Sequence, residues 1–278
     1  MRQLLSITKA MGRRVAQWLL RLTRAPETAV LSVVRSGRVS PPTVLHVTHW
    51  KAGSRWIARI LNDCVPDRIV ASEIGAKQLL ERAVELGKVY PNVYVTREEF
   101  DKATLPAHWR RFVVIRDLRD TLISYYFSFK VSHPVIAPII TEERTVLQNL
   151  DHEEGLLRVM ERWLPLCVSI QESWLAAGEP LIRYEDLIEN DIGILENLLL
   201  DRCGLPVTRR RFRNAVEANR FEALTRGRPR GQEDVASHER KGIAGDWQNH
   251  FSDRVKSEFK ARYGALLIAT GYERNLDW

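Results

Sequence analysis

Lys51, Gly53 and Ser54 stand side by side after a short apolar run and before an amphipathic one. An ammonium group, a glycine that lets the backbone approach a ligand closely and a hydroxyl that can cap a helix are the parts of an anion site. Val44 to Val47 read as a buried strand, apolar apart from His46, and Trp56, Ile57, Ile60 and Leu61 read as the inner face of a helix that starts at Ser54. The first N–H groups of such a helix lack intrahelical partners and carry about half a positive charge, so a phosphate or sulfate fits there. The order is not that of a Walker A loop, where the lysine follows the second glycine. Taken alone, a Lys-x-Gly-Ser turn also serves as a plain connection.

A second strand-to-helix junction follows. Arg111 to Arg116 give a continuous apolar strand between arginines, and Asp117 to Phe129 a helix, so Arg116 sits at a strand end and Ser124 two turns along. In an open parallel sheet both junctions face ligand at the carboxyl ends of the strands. A second anionic group of one ligand fits Arg116 and Ser124, although an arginine at a strand end is also an ordinary solvated residue.

The elements that must position these residues read as follows. Ser72 and Glu73 introduce a helix from Ile74 to Leu86, and Asn92 to Thr96 make a strand. Residues 130 to 155 lack clear periodicity and read as a lid or binding loop. A long helix spans Glu154 to Ala177, Pro180 to Tyr184 form the fourth strand, and Glu185 and Asp186 open a helix that ends near Gly204. Arg209 to Ala218 form a short helix, residues 225 to 245 a Gly/Pro/Arg-rich loop, and Asp253 to Thr270 the closing helix. With no repeat and no linker, residues 43–278 read as one α/β domain with a parallel central sheet flanked by helices.

Charge narrows the partners. The net charge is +7 over 278 residues, and residues 1–42 carry eight basic side chains against one acid, Glu27, which accounts for all of it. A neutral domain with a basic arm excludes a general nucleic-acid surface, which needs a basic face. Within the arm, Leu4, Ile7, Met11, Val15, Trp18, Leu19 and Leu22 recur at helical spacing between arginines. Such a stretch suits peripheral membrane contact through residues 1–24, a targeting segment, or a helix packed on the domain or a partner. The three cysteines, Cys64, Cys167 and Cys203, show no metal-ligand spacing and read as reduced thiols of a cytoplasmic protein. No apolar run approaches the roughly 18 residues that span a bilayer.

Taken in order, these motifs resemble the sulfotransferases that use 3′-phosphoadenosine 5′-phosphosulfate, from about Val44 to the C-terminus. The resemblance implies a P-loop-NTPase-like fold. The family's phosphosulfate loop, Pro-Lys-Ser-Gly-Thr-Thr-Trp, stands here as Trp50, Lys51, Ala52, Gly53, Ser54, Arg55 and Trp56. Its 3′-phosphate motif stands as Arg116, Asp120, Ser124, Tyr125 and Tyr126, and its Tyr-Glu-Asp-Leu segment as Tyr184 to Leu187, with the tyrosine implied near the adenine. The late signature is complete as Arg240, Lys241, Gly242, Gly245, Asp246 and Trp247, and Phe221 looks like the phenylalanine that stacks on adenine.

Two departures matter. Ala52 and Arg55 replace residues usually hydroxylated in the family, which shifts anion binding toward backbone N–H groups and Arg55. Where the family usually carries a histidine base, this chain reads Val95, Thr96, Arg97. The implied reaction moves a sulfuryl group to a hydroxyl or amine of a small-molecule, lipid or glycan acceptor, with no metal. Lys51 is expected to stabilise charge on the leaving oxygen. The base candidates are Glu73, Glu98, Glu99, His49 and His133, with Glu73 favoured because some branches of the family use a glutamate after the phosphosulfate loop. A P-loop-type nucleotide kinase, or a non-catalytic nucleotide- or glycan-binding protein, are the alternatives.

Overall fold

The computed structural model describes residues 40–71, 79 and 82–278. The basic arm and Glu73 therefore lie outside the described residues, the last three residues of the arm excepted. Four strands, β1 (Thr43–Thr48), β2 (Val89–Val93), β3 (Trp109–Ile115) and β4 (Leu181–Arg183), form a parallel sheet in the order β2-β1-β3-β4. The helices are α1 (Ser54–Cys64), α2 (Arg97–Phe100), α3 (Leu118–Phe127), α4 (Pro138–Asn149), α5 (His152–Arg162), α6 (Leu164–Ala176), α7 (Tyr184–Glu189), α8 (Asp191–Leu195), α9 (Arg209–Ala218), α10 (Phe221–Leu224) and α11 (Asp253–Ala269).

Alternation along the strands divides the core. Val44, Phe112 and Val114 pack with Ile57, Ile60 and Leu61 of α1 and Phe212 of α9 on one face. Leu45, Val47, Val113 and Ile115 pack with Phe100, Ile170 and Trp174 on the other. A sheet covered on both faces tolerates no exposed side chain in its central strand, and all six residues of β1 are buried. His46 is accommodated there by stacking on Phe112, with ring centroids 4.8 Å apart, and by a ring-nitrogen contact with the Pro91 carbonyl.

Several expected boundaries move. The second strand lies three residues earlier than expected, over Val89–Val93, and contains Pro91; β2 ends the described sheet, a place where a missing N–H is tolerated. Most of the helix expected over 74–86 falls outside the described residues, and its last residues, 82–86, are not helical. The expected loop 130–155 contains α4 and the start of α5. Its inner face, Ile140, Glu143 and Leu147, includes a buried glutamate paired with Arg158 at 2.8 Å and Arg162 at 3.5 Å, which hides the apolar period. The single long helix expected from Glu154 is two helices, broken at Trp163, with Pro165 in the first turn of α6.

Candidate active site

From β1 the chain passes through α1 to β2 on one side, whereas β3 and β4 lie on the other, so the topological switch falls between β1 and β3. Ligands of open α/β sheets bind outside the strand ends at such a point. Thr48 is in register with Val114, and its hydroxyl donates to the Val114 carbonyl at 2.9 Å. Both expected anion-binding junctions therefore leave the sheet side by side.

The first junction is a strained turn. Lys51 has φ 69° and Gly53 φ 76°. A left-handed lysine costs on the order of 1–3 kcal/mol and persists where surrounding contacts over-determine it. Here Arg116 Nη1 donates to the Lys51 carbonyl at 3.0 Å. Gly53 is required twice, by its φ and because a Cβ would lie 2.7 Å from the Tyr184 ring. Among the described residues no side chain caps the start of α1, and its first turn holds no acid, so its N–H groups and dipole are open to an anion. Ser54, expected as a cap, instead accepts a hydrogen bond from Tyr94 Oη at 2.9 Å.

The second junction continues through α3 into a wider i→i+5 turn over Ser128–Ser132. Residues spaced by four drift about 40° per step on an α-helix, and the wider turn offsets that drift. Ser124, Ser128 and Ser132 thereby line one pocket with Lys51, Phe127, Ser237, His238 and Arg240. Lys51 Nζ donates to Ser128 Oγ at 2.7 Å. Burial, and then the Arg116 and Arg55 cations, lower the Lys51 pKa to about 7.

The late signature is tied to the same helix. Asp120 is 1 % exposed and accepts from the backbone N–H groups of Gly245, at 2.7 Å, and Trp247, at 3.0 Å. Asp246 accepts from Arg240 at 2.5 Å, Lys241 at 2.6 Å and Asn249 at 2.9 Å. Although burial alone would raise it, hydrogen bonds from His250, Lys241, Asn249 and Arg240 hold the Asp246 carboxyl far below the usual range. Asp246, His250 and Glu233 bring three possible metal ligands together, but Asp246 is already neutralised by two cations and Glu233 is paired with Arg240. Gly242, at φ 69°, lies against Phe221, and a Cβ there would be 2.5 Å from the ring.

Of the expected site residues, Lys51, Ser124 and Arg240 line the pocket. Arg116 does not line it; its guanidinium lies 4.8 Å from the centroid of the Tyr184 ring, and its Nε finds no partner among the described residues. Trp56 meets Tyr184 edge to face at 6.2 Å. Of the base candidates, His49 is fully buried: its Nδ1 donates to the Trp50 carbonyl at 2.9 Å and its Nε2 accepts the Arg116 N–H at 3.1 Å. Burial lowers its pKa to about 4. Glu99 forms a capping box with Thr96 at the start of α2, and Glu98 is exposed on the same turn. His133 donates through Nδ1 to the Pro134 carbonyl at 2.8 Å and stacks on Phe129. Ser128, Ser132 and His238 were not expected in the site. The serines had a signal in the four-residue spacing from Arg116 through Asp120 and Ser124; His238 had none.

A family model described as a sulfotransferase domain matches residues 41–271. The chain is similar to human Sulfotransferase 1C2, 21% identical over 272 residues that cover 86% of this chain and 88% of that protein. Mouse Sulfotransferase 2B1 is 24% identical over 271 residues, covering 86% of this chain and 75% of that one. The fold is similar to that of mouse sulfotransferase SULT7A1 complexed with PAP, with a TM-score of 0.53 and 15% identity over 81% of this chain and 84% of the other. Retinol dehydratase in complex with retinol and PAP follows at a TM-score of 0.50, with 12% identity over 83% and 82% of the two chains.

Proposed function

The chain belongs to the sulfotransferase family and uses 3′-phosphoadenosine 5′-phosphosulfate, and from that premise we propose that it sulfates a hydroxyl, or an amine, of a small-molecule, lipid or glycan acceptor at the pocket beside Lys51. One observation carries the assignment of the site: Lys51, Ser124 and Arg240, from three separate motifs, line one pocket.

The residues fit the donor. The open start of α1 and the left-handed Lys51-to-Gly53 turn suit a doubly charged phosphosulfate. Lys51, Ser54, Arg55 and the backbone N–H groups of Ala52 and Gly53 would hold that end. Arg116, Ser124, Arg240, Lys241 and the Gly242 N–H would hold the 3′-phosphate. Trp56, Tyr184 and Phe221 would enclose the adenine, the last two already pressed against glycines that lack a Cβ. The donor supplies an activated sulfuryl group. Lys51 places a cation where negative charge develops and can give it a proton, which a group poised near neutrality does readily.

Exposed Val131, Val135 and Ile136, at 42%, 60% and 48%, lie close in sequence to the pocket residue Ser132 and support an acceptor with an apolar body. Three buried free cysteines support a reducing, cytoplasmic setting. No helix among the described residues is long and apolar enough to cross a membrane, and peripheral contact through residues 1–24 remains part of the proposal.

Thermal denaturation with adenosine 3′,5′-bisphosphate in EDTA tests the site. Stabilisation of about 2.7 kcal/mol at a hundred times Kd is expected, and a larger shift with ATP and Mg²⁺ would favour a kinase instead. Donor-dependent mass gain of one sulfuryl group across phenols, sterols, lipids and glycans identifies the acceptor. In Lys51→Ala, kcat should fall more than bisphosphate affinity; equal loss of affinity with unchanged kcat would remove Lys51 from its role.

A further inference from the structure

We propose that His238 takes the acceptor's proton, and that Arg55 covers its basic nitrogen until the donor is bound. The inference rests on the pocket beside Lys51 being the transfer site. His238 lies on the loop before the late signature, 183 residues from Arg55 in sequence, yet its Nδ1 is 3.4 Å from Arg55 Nη1. A guanidinium has only donors, so Nδ1 is the accepting nitrogen and the proton of the neutral ring sits on Nε2. The neighbouring residue repeats the link between loop and helix: Glu239 pairs with Arg59 at 2.9 Å. His238 thus belongs to α1, the helix whose N-terminus faces the anion, as much as to its own loop.

Three features suit the ring to the task. It lines the pocket with Lys51 and Ser128 and is solvent-accessible, so an acceptor hydroxyl can reach it. Partial burial, then the Arg55 and Lys51 cations, lower its pKa to about 4, while Glu239 opposes them; the ring is neutral but weakly basic as long as Arg55 covers it. The other described candidates near Lys51 are otherwise engaged: His49 has its acceptor nitrogen filled, and His133 does not line this pocket.

The step balances. The acceptor oxygen forms a bond to sulfur as the bond from sulfur to the bridging oxygen breaks, and that electron pair stays on the departing 5′-phosphate beside Lys51. The acceptor's proton passes to Nδ1 of His238. An anion beside Arg55 draws the guanidinium away from Nδ1 and raises the basicity of the ring at the same time. The base is thereby uncovered by donor binding.

Two phenols of different acidity test this. 4-Nitrophenol is largely ionised at pH 8 and needs no base, whereas 2-naphthol does. In His238→Gln, transfer to 2-naphthol should fall about 10²-fold and transfer to 4-nitrophenol far less, with the melting shift given by adenosine 3′,5′-bisphosphate unchanged. Equal losses for both phenols would reduce His238 to a positioning role and overturn the proposal, as would normal 2-naphthol turnover in His238→Gln with collapse in His133→Ala or Glu73→Gln. Imidazole ¹⁵N shifts of the bisphosphate-bound wild type read the ring whether or not these phenols are accepted, and a His238 charged at pH 8 would also overturn it. Absence of any bisphosphate shift in the wild type would instead indict the site assignment.

Discussion

Asp120 and Gly245 are joined across 125 residues of sequence: one carboxylate oxygen of Asp120 accepts the Gly245 N–H at 2.7 Å while the other accepts the Trp247 N–H at 3.0 Å. The aspartate of the 3′-phosphate motif is thus a structural group. It fixes the turn that follows Arg240, Lys241 and Gly242, with Gly245 at φ 79°. Two motifs far apart in the chain are tied together by this buried carboxylate, as the proposed sharing of one ligand group requires.

Asp120→Asn leaves one accepting oxygen and turns an amide against the second N–H. Hydrogen bonds to a charged group contribute about 1.5–3 kcal/mol, so the urea midpoint should fall by an amount equivalent to about 2 kcal/mol, and bisphosphate affinity should weaken with it. An unchanged midpoint would show that the turn holds itself.

Gly242→Ala tests the contact with Phe221. A Cβ at 2.5 Å must displace the ring, whereas at Gly227, also left-handed and in the same stretch, nothing lies within 4 Å. Both alanine variants bear the backbone penalty, but only Gly242→Ala should lose at least about tenfold in bisphosphate affinity, equivalent to about 1.4 kcal/mol. Calorimetry that found the two variants alike would separate Phe221 from the adenine.

Arg240 is predicted to read the 3′-phosphate. Its guanidinium bridges Glu233 and Asp246, and Asp246 keeps Lys241 and Asn249 without it. Arg240→Ala should therefore fold, and should weaken adenosine 3′,5′-bisphosphate by about tenfold or more while leaving adenosine 5′-phosphate nearly unchanged. Parallel loss for both nucleotides would place Arg240 elsewhere on the ligand.

The sequence was most informative where local rules act alone. Thr208 caps α9 as its side chain predicts, and the helix spans Arg209–Ala218 as expected. The phosphosulfate loop was legible because Lys51, Gly53 and Ser54 stand together between an apolar run and an amphipathic one; the room Gly53 leaves for Tyr184 was not. Reading failed where tertiary contacts rewrote local meaning. Residues 130 to 155 showed no clear periodicity because the inner face of α4 includes Glu143, buried against Arg158. The second strand was expected only from Asn92, whereas the sheet edge admits Pro91 within it. Pro165 was a usable sign of a new helix start inside the stretch expected as one helix. His238 meets Arg55 only because a late loop returns to α1, and no spacing rule reaches across 183 residues.

Lys51 gives the site a pH dependence of definite sign. Its pKa in the folded chain is about 7, against an ordinary value of 10.5, chiefly through burial and then through Arg116 and Arg55. The unfolded chain therefore binds the proton up to about pH 10.5, and the native chain only up to about pH 7. Between those limits the native state holds fewer protons, so this residue's contribution to stability rises with pH across the window and is least favourable below it. Donor binding runs the other way. An anion beside Nζ favours the charged form, so above about pH 7 binding must take up a proton, and affinity should fall with rising pH by at most about tenfold per unit. Calorimetry at pH 8 in buffers of different ionisation enthalpy should register uptake of up to one proton per bisphosphate bound, and almost none at pH 6. Lys51→Arg keeps its charge throughout and should abolish that uptake. Affinity that stays flat from pH 6 to pH 9 in the wild type, without proton uptake, would mean that Lys51 is already charged before the ligand arrives.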